Sequence, residues 1–142
     1  MSTTMTVAER QAFLADVHVG VLALTRPGGR GPLNVPVWYD YTPGGELWFI
    51  TEPDSRKGRL LQVGTLVSLC VQTETAPYQY VSVEGDVVAI EPAKVEEHLR
   101  PMARRYLGIS QGDLYAAGSE DGDSALVRVR PLHWLSVDYR KR

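Results

Sequence analysis

The chain has 142 residues, of which 44% are hydrophobic and 23% charged, with a formal net charge of −2. That length suits one domain able to bury about two-thirds of its unfolded surface, the composition excludes a disordered chain, and the near-neutral balance favours neither nucleic acid nor anionic lipid as a partner. No apolar run approaches the ~20 residues that span a bilayer, the opening Met1-Ser2-Thr3-Thr4 lacks a secretion-signal core, and the lone Cys70 excludes an internal disulfide or multi-cysteine metal site, so the chain reads as cytoplasmic.

Thr6 and Glu9 have capping-box spacing, which predicts a helix over residues 7–16 with Phe13, Leu14 and Val17 as its buried stripe. Residues 19–25 are nearly continuously apolar, and the Pro/Gly-rich turn at 26–31 returns the chain as a hairpin. Residues 32–41 read as its second strand, with Val35, Val37 and Tyr39 on one face and Asn34, Pro36 and Trp38 on the other. Pro36 cannot donate to a ladder, so this strand is an edge or bulges there.

After the turn at Thr42-Pro43-Gly44-Gly45, residues 47–51 form a strand of aromatic and branched residues, broken by Pro53-Asp54. Ser55 is a natural N-cap for a short helix. Arg56, Lys57 and Arg59 then crowd the helix end where the backbone dipole already places positive charge, whereas Asp or Glu is the usual choice. A bound anion removes that conflict, and a hydroxyl, free N–H groups and several cations converging on one point describe a phosphate site. The plainer alternative is a solvated basic face.

Residues 65–73 alternate, with Val67, Leu69 and Val71 making one wholly apolar face, and 78–91 form a long strand bent by a bulge at Gly85. A helix starts at Pro92 and runs on with apolar residues at three- and four-residue spacing, broken near Arg100 by Pro101. A second short helix covers 110–117, a polar turn 118–123, and residues 125–139 close the chain as one bent strand or two. About six mostly antiparallel strands of this length favour a small barrel, because closure removes exposed edges.

No metal site is expected: His18, His98 and His133 lack ligand spacing, and Glu120-Asp121-Gly122-Asp123 lacks the calcium-loop pattern. No nucleophile elbow, Walker loop or nucleophile triad is present, and no catalytic side chain stands out. Trp38, Tyr78, Tyr80 and Trp134 read either as packing aromatics or, beside a phosphate site, as a flat slot for a planar ring system.

The run Leu47-Trp48-Phe49-Ile50-Thr51, then Ser55-Arg56-Lys57, then Tyr80-Val81-Ser82-Val83-Glu84-Gly85, resembles the pyridoxamine 5′-phosphate oxidase-like superfamily of flavin- and deazaflavin-binding split β-barrels over nearly the whole chain. The resemblance implies a mainly β, six-stranded antiparallel split barrel as one domain over residues 1–142, forming a homodimer with two cofactor sites at its interface. It implies Thr51, Ser55, Arg56 and Lys57 around the cofactor phosphate and the backbone of Pro36, Val37 and Trp38 along the ring. Tyr80 stands where flavin oxidases of the family carry glutamine, and His133 and Trp134 would reach the neighbouring subunit's site. Pyridoxamine phosphate oxidases are longer and end in Arg-Leu-x-Pro, unlike this chain, so that activity is not expected. The short length and Asn34-Val35-Pro36-Val37-Trp38 look more like the branch that uses the 5-deazaflavin coenzyme F-420. The function so implied is hydride transfer to a conjugated, electron-poor small molecule, the alternatives being an FMN-dependent oxidase or reductase and a non-catalytic flavin- or haem-binding module.

Overall fold

The structure, a computed structural model, describes residues 2–142. Thr6 caps helix α1 (Val7–Ala15) through both arms of a capping box, its hydroxyl accepting from the Glu9 N–H and the Glu9 carboxylate accepting from its own. Seven strands follow: β1 (Gly20–Leu24), β2 (Leu33–Val37), β3 (Asp40–Tyr41), β4 (Leu47–Thr51), β5 (Leu66–Gln72), β6 (Gln79–Pro92) and β7 (Ala125–Asp138). One helical turn, α2 (Arg56–Arg59), lies between β4 and β5, and helices α3 (Arg100–Leu107) and α4 (Ile109–Ala116) lie between β6 and β7.

All pairings are antiparallel, in the order β2-β1-β5-β6-β7-β4-β3. The sheet's two edges, β2 and β3, are separated in sequence only by Trp38 and Tyr39. A flat seven-stranded sheet would hold those edges about 29 Å apart at the usual strand spacing, far beyond the reach of two residues. The sheet therefore curls into a barrel split along the β2/β3 seam. Inward positions such as Leu22, Leu69, Val83, Phe49 and Val127 are fully buried and form the core.

At the seam the ladder stops, and Tyr39 is buried with backbone groups that no strand pairs. Helix α3 supplies the partners. The Tyr39 N–H donates to the Tyr106 hydroxyl at 3.0 Å, which in turn donates to the His18 carbonyl at 2.6 Å. Arg105 Nε donates to the Tyr39 carbonyl at 3.1 Å, while its Nη2 donates to the carbonyls of Ala15 and Asp16 at the end of α1.

Several expectations from sequence are met. Pro36 lies on an edge strand, Val67, Leu69 and Val71 face inward, and the β6/β7 register shifts between Glu84 and Gly85. Residues 125–138 form one strand in which Leu132 is the extra residue opposite that shift. Others need correction. The sheet has seven strands instead of six, because residues 32–41 break at the seam into β2 and β3. Pro92 ends β6, paired with Ala125, instead of opening a helix, which starts only at Val95. Residues Val95–Leu99 make a π-helical turn, and α3 begins at Arg100, so the break does fall next to Pro101. Val17 lies beyond the end of α1 and is 54% exposed, so it is not part of the buried stripe.

His18 stacks on Phe13 with Nε2 3.0 Å from the Phe13 carbonyl. Burial pushes its pKa below the ordinary 6.5, against the opposing influence of the Phe13 carbonyl and Asp16. The unfolded chain then binds the proton more readily than the folded one, so stability from this group is full above pH 6.5 and lost as pH falls through the depressed value. Melting temperature should accordingly decline as pH is lowered from 7 towards about 5, and His18→Gln should flatten that decline; an unchanged slope in the variant would refute the assignment.

Candidate functional site

Strand β4 delivers Thr51, buried, to the mouth of the turn Glu52-Pro53-Asp54. The Glu52 carbonyl organises this turn by accepting from the Ser55 N–H at 3.1 Å and the Ser55 hydroxyl at 2.7 Å. Ser55 is the N-cap of α2, its Oγ accepting from the Gly58 N–H at 3.0 Å and lying 3.3 Å from Thr51 Oγ1. The hydroxyl proton of Ser55 is thus directed to its own turn. With four residues, α2 is a single turn, so its dipole adds little and the positive character comes from the side chains. Among the described residues, Arg56, Lys57 and Arg59 form no ion pair.

A cleft of about 480 Å³ opens beside this turn. One wall is the end of the edge strand with Pro36, Val37 and Trp38, and the floor is Ile50 and Thr51 of β4. Leu99, Met102 and Tyr115 add further apolar lining, Tyr115 beside Trp38, and Lys57, Glu52, Ser119 and Ser124 supply the polar lining. Ser124 Oγ donates to the Glu52 carboxylate at 2.9 Å, turning that acid towards the loop before β7. The indole of Trp38 stacks on Tyr106, nearly parallel at 6° and 5.0 Å, and meets Tyr115 at 48° and 5.2 Å.

The helical part of the lining is held by contacts within the α3–α4 hairpin. A Cβ on Gly112 would lie 2.6 Å from the Arg104 backbone nitrogen, so the two helices approach at van der Waals limits only with glycine there. Asp113 accepts from Arg104 and Arg100, which hold its carboxyl down to about 2. Tyr115, on the same helix, meets the indole of Trp38 at the cleft.

Of the ten residues singled out from sequence, the structure gathers Pro36, Val37, Trp38, Thr51 and Lys57 in this one cleft. Ser55 and Arg56 adjoin it through the turn. Tyr78 is 51% exposed beside Pro77, Tyr139 and Arg142, Tyr80 pairs with Gln72 and Val137, and Trp134 packs on the core under the Arg10 guanidinium, 4.8 Å away. These three do not line the cleft. The cleft suits an amphiphilic ligand, with a flat apolar body against Trp38, Ile50 and Met102 and an anionic group paired with Lys57. A phosphorylated flavin or deazaflavin has that form. Among the described residues, no group of three or more His, Cys, Asp or Glu could hold a metal ion, and no helix is long and apolar enough to cross a membrane.

Over residues 6–138 the sequence matches the family described as pyridoxamine 5′-phosphate oxidase. Among solved structures, the chain is similar to an F-420 reductase at 25% identity and a TM-score of 0.71, over 88% of this chain and 94% of that one. It is similar to a conserved hypothetical protein from Mycobacterium tuberculosis at 25% identity and a TM-score of 0.77, over 99% and 90% of the two chains. It shares its fold with a FAD and haem binding protein from Mycobacterium smegmatis at 18% identity and a TM-score of 0.66, over 96% and 73%. A search of the curated proteins finds no match.

Sequence reasoning passed over Ile50, Glu52, Leu99, Met102, Tyr115, Ser119 and Ser124, which complete the cleft. It also passed over Gly58, whose missing side chain lets α2 sit on the preceding turn: a Cβ there would overlap the Glu52 carbonyl and lie 2.8 Å from that of Pro53. Gly58→Ala should therefore lower stability by about 1–3 kcal/mol through overpacking, read as a lower urea midpoint with an unchanged slope; a midpoint equal to wild type would show that the turn adapts freely.

Proposed function

This chain belongs to the pyridoxamine 5′-phosphate oxidase family, and on that premise we propose that it is an oxidoreductase that uses the 5-deazaflavin coenzyme F-420 to reduce a conjugated, electron-poor small molecule. The observation that carries the reading is the convergence of an ion-pair-free Lys57, the Thr51 hydroxyl and the Pro36–Trp38 edge on one cleft. The choice of deazaflavin over FMN is supported by the similarity to an F-420 reductase and by the Asn34-Val35-Pro36-Val37-Trp38 stretch.

When bound, the deazaflavin supplies the hydride. The chain's own residues bind, orient and exclude water. Lys57, with Arg56 beside it, would be the counter-ion to the phosphate, and Thr51, whose hydroxyl lies against Ser55 Oγ and the Glu52 carbonyl, would line that end of the site. The end of β2 with Trp38, together with Ile50, Leu99 and Met102, would supply the apolar surface that holds the ring. Tyr115 and Glu52 also line the cleft, the Glu52 carboxylate accepting from the Ser124 hydroxyl.

The functional unit is a homodimer in this reading. Cross-strand register aligns Pro36, Val21, Cys70, Ser82 and Leu135 as one outward row over β2, β1, β5, β6 and β7. Val21 and Leu135 in that row are 44% and 58% exposed, which suits a contact between copies. His133 and Tyr80, on the same outward side, would then be the residues able to reach the neighbouring subunit's site, whereas Trp134 is turned to the core.

Two measurements test the function and the assembly. Titrating the purified protein with F-420 and with FMN should give saturable binding, tighter for F-420, and Lys57→Ala should weaken it at least about tenfold with an unchanged melting temperature, as loss of one charge-assisted contact implies. Unaltered affinity in Lys57→Ala would count against the site, and tighter FMN binding would hand the cleft to the flavin. Sedimentation should report a dimer that Leu135→Lys converts to monomer; a monomeric wild type would remove the homodimer.

A further inference from the structure

We propose that Tyr106 is a positioning residue of the cleft, fixing the Trp38–Tyr39 corner through its ring and its hydroxyl together; the inference rests on the flavin-type reading above. Tyr106 does not line the cleft, whereas Trp38 does. Trp38 is not held by the sheet, because β2 ends at Val37 and β3 begins at Asp40. What fixes it is the nearly parallel stack on Tyr106 and the next peptide, whose N–H donates to the Tyr106 hydroxyl. That hydroxyl is fixed in turn by donation to the His18 carbonyl, so a single phenol ties the α1–β1 link, the seam and the cleft wall to α3.

Arg105 offers an internal control. It binds the same corner through the Tyr39 carbonyl and caps the end of α1, and its guanidinium lies over the rings of Tyr39 and Tyr106. The indole of Trp38 is left to Tyr106 and Tyr115. If Tyr106 served only to stabilise the fold, loss of Arg105 would harm ligand binding at least as much.

The experiment uses the full chain with FMN or F-420, whichever the wild type binds more tightly. Tyr106→Phe keeps the ring and removes the hydroxyl, and Arg105→Gln removes the control contact; each is titrated and its melting temperature recorded. The expected result is a loss of affinity of about tenfold for Tyr106→Phe, while Arg105→Gln lowers the melting temperature as much or more yet stays within about threefold of wild-type affinity. Amide hydrogen exchange in the wild type gives a reading that needs no variant: ligand should slow exchange at Tyr39, because binding to the Trp38 wall stabilises the corner against local opening. Equal affinity in Tyr106→Phe, equal losses in both variants, or Tyr39 exchange indifferent to ligand would each overturn the positioning role while leaving the flavin-type reading in place. A wild type that binds neither compound would overturn both.

Discussion

The structure depends on how the chain solves one problem: two opposite edges of a seven-stranded sheet are joined by two residues. Curling the sheet makes the join possible but leaves the Tyr39 peptide groups inside the protein with no strand beside them. A buried backbone group without a partner costs about 1–3 kcal/mol, and two of them would remove much of the 5–15 kcal/mol that typically holds a domain together. Tyr106 and Arg105 meet that need from α3. The π-helical turn and the two helices inserted between β6 and β7 are therefore part of the barrel's closure, and the cleft lies where they meet it.

That arrangement explains why the cleft is chemically two-sided. Its apolar lining comes from the end of an edge strand, the π-helical turn and the α3–α4 hairpin, with Val37 and Met102 buried against the barrel. Its polar end is the turn after β4, where a tight backbone, organised by Ser55 and permitted by Gly58, keeps Thr51 inside and puts Lys57 at the rim. One end offers dispersion contacts, the other charge.

What the sequence made legible was what local chemistry decides. The Thr6–Glu9 capping box, the alternation in β5, the edge position implied by Pro36 and the bend at Gly85 each involve residues whose partners are near in sequence or whose constraint is intrinsic. The phosphate-type cluster was visible because three cations in four residues, with no acid in the turn itself, are unusual at a helix start. The seam was hidden, because residues 32–41 alternate correctly for one long strand and only the closure of the sheet forces the break. Pro92 resembled a helix-opening proline, yet pairing with Ala125 carried β6 past it. Leu99, Met102 and Tyr115 read as ordinary helix residues, since nothing in their spacing says which barrel wall they will face.

The π-helical turn just before α3 sets the phase of everything after it. The Leu99 N–H reaches back five residues to the Lys94 carbonyl, so this stretch holds one residue more than an α-helical turn would. His98 is thereby directed to the Trp48 edge, outside the cleft, while Leu99 faces into it. Losing a single residue from this turn would rotate the following helix by about 100°, carrying Met102 away from the ligand and Tyr106 away from the seam. Length variation between relatives should accordingly be confined elsewhere, for example to the glycine-rich tip joining β1 and β2, where Gly28 and Gly29 meet open space.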